Sequence, residues 1–96
     1  MPFRFLTPDT LLRNIAAKAK ARRLTANLTR RTLAVKSGVN EASIKRFETT
    51  GEINFHSLLK LAFSLDCMDE FESLFAEKAP QSMNDLQTKS KQRGRL

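Results

Sequence analysis

Residues 28–48 read LTRRTLAVKSGVNEASIKRFE, and this stretch sets the expected architecture. Thr29 and Asn40 are residue types that cap helix starts, because their side-chain oxygens accept an otherwise unpaired backbone N–H. Gly38 between them tolerates the positive φ of a tight turn. The stretch therefore predicts two short helices joined by a tight turn. The residues predicted to face inward are Leu33, Ala34, Val39, Ile44 and Phe47, and those predicted to face outward are Arg30, Lys36, Lys45 and Arg46.

Helical spacing of apolar residues continues on both sides of this pair and predicts an all-α fold of five helices. The first begins at Thr7-Pro8-Asp9 and runs to about residue 26, where Asn27 suits a left-handed end position. The next two cover about 30–36 and 41–49. Asn54 caps the fourth, at about 55–65, and the fifth covers about 68–76. The predicted inward residues are Leu12, Ile15, Ala16, Ala19 and Ala26 in the first helix, and Phe55, Leu58, Leu59, Ala62 and Leu65 in the fourth.

Composition divides the chain into three parts. Residues 1–6 predict a short extended arm, because Phe3 and Phe5 alternate outside a helical period. Residues 7–79 form the predicted domain, and 96 residues suffice for one domain with one small core. After Pro80 the sequence turns polar, and residues 80–96 are interpreted as a flexible basic tail.

The positive charge of the chain lies mainly in its first half. The net charge is +7, but residues 1–50 hold 11 Lys and Arg against 3 Asp and Glu. Residues 51–80 hold 2 basic and 6 acidic residues, so this part is negative. A polyanion is therefore the expected partner of the first half, and the acidic part is expected to face away from it.

Residues for catalysis or metal binding are not grouped in the sequence. The single His56 has no Cys or acidic residue at metal-ligand spacing, and the acidic residues 69, 70 and 72 lack the spacing of a calcium loop. We therefore expect no enzyme activity, no metal and no cofactor. The lone Cys67 is expected to be a small, partly buried apolar residue. Without a spanning apolar run or a signal peptide, we expect a soluble cytoplasmic protein.

The second helix of the pair carries the expected contacts with double-stranded DNA, because a helix start can enter the major groove and read base edges. Arg46 can pair with guanine, and Glu41 can accept a hydrogen bond from cytosine. The predicted base-contacting residues are Arg30, Glu41, Ala42, Lys45 and Arg46. The predicted backbone-contacting residues are Thr29, Arg31, Lys36, Asn40, Ser43, Thr49 and Thr50.

The pattern over residues 10–66 resembles the Xre (Cro/repressor-like) helix-turn-helix family. The resemblance runs through Leu28-Thr29, Leu33-Ala34, Ser37-Gly38-Val39-Asn40, Ile44-Lys45-Arg46-Phe47-Glu48 and Leu58-Leu59-Lys60-Leu61-Ala62. It implies a five-helix DNA-binding domain, a homodimer on a palindromic operator, and a partly buried ion pair between Arg23 and Glu48. A separate reason for a partner of Arg23 is that it shares a helical face with Ala19 and Ala26.

Three positions differ from the family's usual pattern. Arg30 stands where a Gln that contacts bases and phosphates is common. Thr32 replaces the usual Glu, which removes the capping box, and Glu41 is an acid at the leading recognition position.

A narrower resemblance is to HipB-type antitoxins. It rests on Phe47-Glu48-Thr49-Thr50-Gly51, Leu61-Ala62-Phe63-Ser64-Leu65, and Asp69-Glu70-Phe71-Glu72-Ser73-Leu74-Phe75 before Ala79-Pro80. This resemblance implies a repressor of its own operon, with a HipA-like kinase toxin as partner. The predicted dimer interface is the fifth helix, with Phe71, Leu74 and Phe75 on one side; the alternative is that these residues only complete the monomer core.

Other functions remain open at this point. A stand-alone phage-type or metabolic Xre regulator shares much of the pattern. A basic RNA-binding protein is a weaker alternative, because the Phe residues lie on core stripes and offer no stacking platform. A membrane-surface module would need a bulky apolar face that the first helix lacks, so no membrane partner is expected.

Overall fold

Five helices make up the fold of residues 6–77, the part of the chain that this computed structural model describes. They are α1 (Pro8–Thr25), α2 (Arg30–Ser37), α3 (Glu41–Thr50), α4 (Phe55–Ser64) and α5 (Asp69–Glu72). The all-α class and the number of helices are confirmed, and no strand occurs in this range. The predicted tail lies outside the described residues, as does the predicted arm apart from Leu6.

The first four helices begin at side-chain caps, as the sequence predicts. In each, the cap side-chain oxygen accepts the backbone N–H of the residue three positions later, at 2.8–3.1 Å. Each bond satisfies one of the N–H groups that a helix start leaves unpaired. The four caps are Thr7, Thr29, Asn40 and Asn54.

A left-handed residue ends or follows each of these four helices, and Asp66 (φ 61°) is the one after α4. Asn27 (φ 64°) follows α1, and Gly38 (φ 80°) and Gly51 (φ 88°) end α2 and α3. Gly51 has a second requirement, because a Cβ atom there would lie 3.0 Å from the backbone carbon of Leu12. The end of α3 therefore approaches the first half of α1 so closely that a Cβ atom would require Leu12 to shift.

The core lies where α3 packs between α1 and α2, with α4 closing the side against α2. Ile44 and Phe47 on α3 are fully buried, and Leu33 on α2 contacts them. Burying a large aliphatic or aromatic side chain contributes roughly 1.5–3 kcal/mol, so α3 is held mainly by these contacts. The buried members of the core cluster are Ala16, Leu33, Val39, Ile44, Phe47 and Leu61.

Part of the predicted inward faces of α1 and α4 is wrong. Phe55 and Leu12 are exposed, whereas Leu61 is buried although it was not predicted to face inward. Apolar residues occur nearly all round α4, so more than one helical face satisfies the spacing rule, and packing chooses between them. Ala26 is also exposed, because α1 ends before it and Ala26 is only the C-cap.

The fifth helix is much shorter than predicted, with four residues instead of about nine. Its cap residue Met68 makes no side-chain capping bond, and none of its residues is buried. Forming a helical turn is costly unless caps or packing offset the lost entropy, and both are weak here. The chain leaves helical geometry after Glu72 and reaches a left-handed conformation at Phe75 (φ 64°).

Alanine at Gly38 would introduce backbone strain alone, whereas alanine at Gly51 would add a steric clash to the same strain. A Cβ at Gly38 would meet no atom within 4 Å, whereas one at Gly51 would meet Leu12. We expect Gly38→Ala to lower the free energy of unfolding by about 1–2 kcal/mol, the cost of a left-handed alanine. Gly51→Ala should cost clearly more, because α1 and α3 must also separate. Urea unfolding of both variants measures the difference, and equal midpoints would contradict the close approach.

Candidate functional site

The packing of α2 on α3 fixes the surface that these two helices present to solvent. Val39 is buried in the turn between them, and its N–H donates to the Ser37 hydroxyl at 3.1 Å. With the turn anchored inside, the opposite sides of both helices are exposed. We call this exposed face the α2–α3 surface. Its members are Arg31, Thr32, Val35, Lys36, Glu41, Ala42, Lys45, Arg46 and Thr49.

Cations predominate on the α2–α3 surface. Arg31, Lys36 and Lys45 make no ion pair with any other residue in the range 6–77, so their full charge faces solvent. Glu41 is the one carboxylate in the set and lies in the first turn of α3, where the helix dipole favours a negative charge. The α2–α3 surface therefore carries a net positive charge.

Arg23 and Glu48 form the ion pair that the family resemblance implies. The Nε and Nη2 atoms of Arg23 donate to the two carboxylate oxygens of Glu48 at 2.7 and 3.0 Å. The Nη1 atom of Arg23 donates to the Leu28 carbonyl oxygen at 2.8 Å. The side chains of Arg23 and Glu48 are only 8% and 3% exposed. This pair joins the end of α1 to the end of α3.

Arg30 is a third member of this cluster that sequence reasoning missed. Its Nε donates to Glu48 Oε1 at 2.9 Å, and its side chain is 31% exposed. Arg30 was predicted to face outward and contact bases, but its inner edge is bound to the protein. Only the packing of α2 on α3 brings residues 30 and 48 together, so no spacing within one helix signals the contact.

The two arginines hold the pKa of the Glu48 carboxyl below its ordinary value. Burial by itself would raise this pKa, because it disfavours the charged form. Hydrogen bonds and charge attraction from Arg23 and Arg30 act in the opposite direction and prevail. Glu48 is therefore a buried anion that depends on both partners.

Arg46, the residue predicted to read guanine, is paired with Glu52. Its Nη2 lies 2.5 Å from Glu52 Oε1, and the two side chains are 68% and 58% exposed. Glu52 lies in the loop after α3 and was not singled out by the sequence pattern. An i, i+6 separation across a helix end has no regular spacing rule, which explains why this pair was missed.

The predicted contacts to the DNA backbone differ in how free their polar groups are. The hydroxyls of Thr49 and Thr50 donate to the carbonyl oxygens of residues 45 and 46 at 2.7 and 2.8 Å, so in this structure neither is free to donate to a phosphate. Thr29 and Asn40 are exposed but serve as caps, and Ser43 is half-buried. Arg31 and Lys36 are exposed as predicted.

The predicted interface residues do not lie on one helical side, because α5 ends before two of them. Phe71 is half-buried, and its ring centroid lies 6.4 Å from that of Phe55. Leu74 lines an apolar groove between α1, α4 and α5 with a volume of about 640 Å³. Phe75 is fully exposed. The predicted common face is therefore wrong, although exposed apolar groups remain at this end of the molecule.

An exposed ion pair between Arg22 and Glu70, at 2.5 Å, lies at the groove. Cys67 is buried in its wall, and burial raises the pKa of the thiol. A buried thiol with a raised pKa is a poor nucleophile, so Cys67 has a packing role here.

Two features are absent from the described range. No helix within residues 6–77 combines the length and apolar character needed to cross a membrane. No group of three or more His, Cys, Asp and Glu side chains gathers there in an arrangement suited to a metal ion.

No model of a known protein family matches the chain, and no curated protein matches it.

Removing Glu48 tests the buried cluster. Glu48→Ala leaves Arg23 buried without its anion, and we expect it to lower the free energy of unfolding by about 3–5 kcal/mol. The double variant Arg23→Met, Glu48→Leu removes both charges from the interior and should recover much of this loss, since Arg30 can turn to solvent. Chemical denaturation of the three proteins gives the values. A Glu48→Ala variant as stable as the wild type would show that the cluster contributes little.

The lowered pKa of Glu48 also predicts a pH dependence of stability. The pKa of the Glu48 carboxyl is lower in the folded state than its unfolded value of about 4.5. Its ionised form therefore stabilises the fold fully at a pH above this unfolded value. The stabilisation is lost as the pH falls through the pKa of the folded state. The wild type should therefore lose stability faster below about pH 4.5 than the Arg23→Met, Glu48→Leu variant, which retains the other carboxylates. Thermal unfolding between pH 3 and pH 7 (roughly the range in which carboxyls titrate) checks the comparison. Parallel curves would contradict it.

Proposed function

We propose that this chain is a sequence-specific DNA-binding regulator of the Xre helix-turn-helix type, acting as a repressor without enzyme activity. The observation that carries the proposal is the capped pair α2–α3. Ile44 and Phe47 bury one side of α3, and the first turns of α3 stand at a cationic exposed face. This combination supports docking of α3 in the major groove of double-stranded DNA, with α2 across the phosphate backbone.

The exposed residues of α3 support base reading. Glu41, Ala42, Lys45 and Arg46 are all exposed, and together they offer an acceptor, a methyl group and two cationic donors. These are the chemical groups that distinguish base pairs in the major groove.

The exposed cations on α2 support backbone contacts. Arg31 and Lys36 supply point charges for phosphates. Arg30 uses its Nε for Glu48, and its two terminal nitrogens make no hydrogen bond to residues 6–77, so its outer edge can meet a phosphate. We therefore assign Arg30 to the backbone rather than to the bases.

A homodimer is part of the proposal, because one short recognition helix reads only a few base pairs. Two copies on a palindromic operator, with half-sites about 34 Å apart, supply the rest of the affinity. Exposed Phe75 and half-exposed Leu74, which follow the acidic helix α5, are the apolar groups that a second copy would cover.

An antitoxin role with a HipA-like kinase toxin is the more specific form of the proposal. It is supported by the sequence pattern over residues 47–75 alone. A stand-alone Xre regulator is the alternative, and co-purification of a kinase encoded by the neighbouring gene distinguishes the two.

DNA binding is tested by selecting preferred duplexes from a random-sequence library and measuring their affinities. Arg46→Ala should cost about 1–3 kcal/mol on the preferred duplex and relax the preference at one base pair. Arg30→Ala should weaken all duplexes alike and reduce the slope of log affinity against log salt by about one unit. Lys60→Ala, an exposed cation on α4, is the control and should change neither. Tighter binding to single-stranded RNA, with no preferred duplex, would favour the RNA-binding alternative.

The dimer is tested with Phe75→Asp, which cannot disturb the core because Phe75 is fully exposed. We expect sedimentation to show a folded monomer that binds the operator weakly. Phe63→Asp, at an exposed position of α4, is the matched control and should remain a dimer. A dimer in the first variant and a monomer in the second would move the interface to α4.

A further inference from the structure

The ion pair between Arg46 and Glu52 joins the exposed face of α3 to the loop that follows this helix. We propose that Glu52 is a positioning residue, which orients Arg46 toward a base edge and disfavours its use as a general phosphate contact. This inference rests on the proposed DNA binding, and it adds that Glu52 helps to determine which base pair Arg46 prefers.

The position of Glu52 is fixed by the fold. Gly51 ends α3 in a left-handed conformation and lies against the backbone of Leu12. The Glu52 N–H then donates to the Thr50 hydroxyl at 3.1 Å, and that hydroxyl donates to the Arg46 carbonyl oxygen at 2.8 Å. These bonds return the Glu52 backbone to the last turn of α3, so its carboxylate is aimed at the Arg46 side chain.

The pair leaves Arg46 able to bind a base. Glu52 accepts a hydrogen bond from Nη2 alone, whereas a guanidinium has five N–H donors in a planar fork. The remaining donors can approach the O6 and N7 acceptors of guanine while Nη2 stays bound to the carboxylate. Restricting the many rotamers of a free arginine before binding reduces the entropy lost in forming the base contact.

The negative charge of Glu52 acts differently on phosphates. A carboxylate beside the guanidinium repels a nearby phosphate and neutralises part of the local cationic field. Both side chains are more than half exposed, so the pair itself is weak and adds little to folding stability. Its effect is therefore expected in DNA discrimination rather than in stability.

The affinities for preferred and non-preferred duplexes, measured together, distinguish a positioning residue from a surface charge. A surface charge would change both affinities in the same direction. Glu52→Ala should weaken binding to the preferred duplex and strengthen binding to non-preferred duplexes by about two- to threefold. The ratio of the two affinities should then fall about five- to tenfold, part of the value of one bidentate base contact. Glu72→Ala, which removes an exposed charge from α5, is the control and should leave the ratio unchanged.

An Arg46→Ala background shows whether Glu52 acts through Arg46. There, Glu52→Ala should no longer change the ratio, and the melting temperatures of the Glu52 and Glu72 variants should match that of the wild type. A uniform rise in affinity for all duplexes would reduce Glu52 to a surface charge and overturn the inference. A wild type without any preferred duplex would instead overturn the proposed function itself.

Discussion

The buried carboxylate of Glu48 is the constraint that orders the first three helices. An anion that is 3% exposed needs compensation, and it receives two guanidinium groups, one from the end of α1 and one from the start of α2. Such a cluster is not required for a high free energy of unfolding, since a well-packed apolar set can replace buried ion pairs at little cost. Its effect is on geometry, because three hydrogen bonds to one carboxylate at the end of α3 fix the positions of α1 and α2 around it.

The proposed DNA-binding surface follows from that geometry. Buried Ile44 and Phe47 determine which side of α3 faces solvent, and Gly38 with Val39 determines how α2 meets it. Within residues 6–77, the cations of this region that make no ion pair are two lysines and one arginine, whereas Arg30 and Arg46 each pair with a carboxylate. The region therefore combines unpaired charges suited to phosphates with two arginines that are each paired with a carboxylate of the protein.

Local signals account for what the sequence predicted well. Caps at Thr29, Asn40 and Asn54 and left-handed ends at Asn27 and Gly38 depend on the chemistry of a few adjacent residues, and all are present. The face of α4, the length of α5 and the contacts of Arg30 and Arg46 depend on neighbours distant in sequence. Because α4 has apolar residues on nearly every side, their spacing did not indicate which side would be buried. The Arg23–Glu48 pair was predicted despite its long range, because a charge on an apolar stripe requires a partner and the family resemblance indicated which one.

Few contacts hold α5 against the rest of the protein, so this helix is less rigid than the core. This helix has no buried residue and no side-chain cap, and it is held by half-buried Phe71, the adjacent Cys67 and one exposed ion pair. Such a segment can detach while the core of α1–α4 stays folded, because the free energy of local opening depends only on the contacts that break. Amide hydrogens of α5 would then exchange with solvent through this opening rather than through global unfolding. The apolar groove beside α5 would change shape on the same timescale, so its width is a property of an ensemble and not of one conformation.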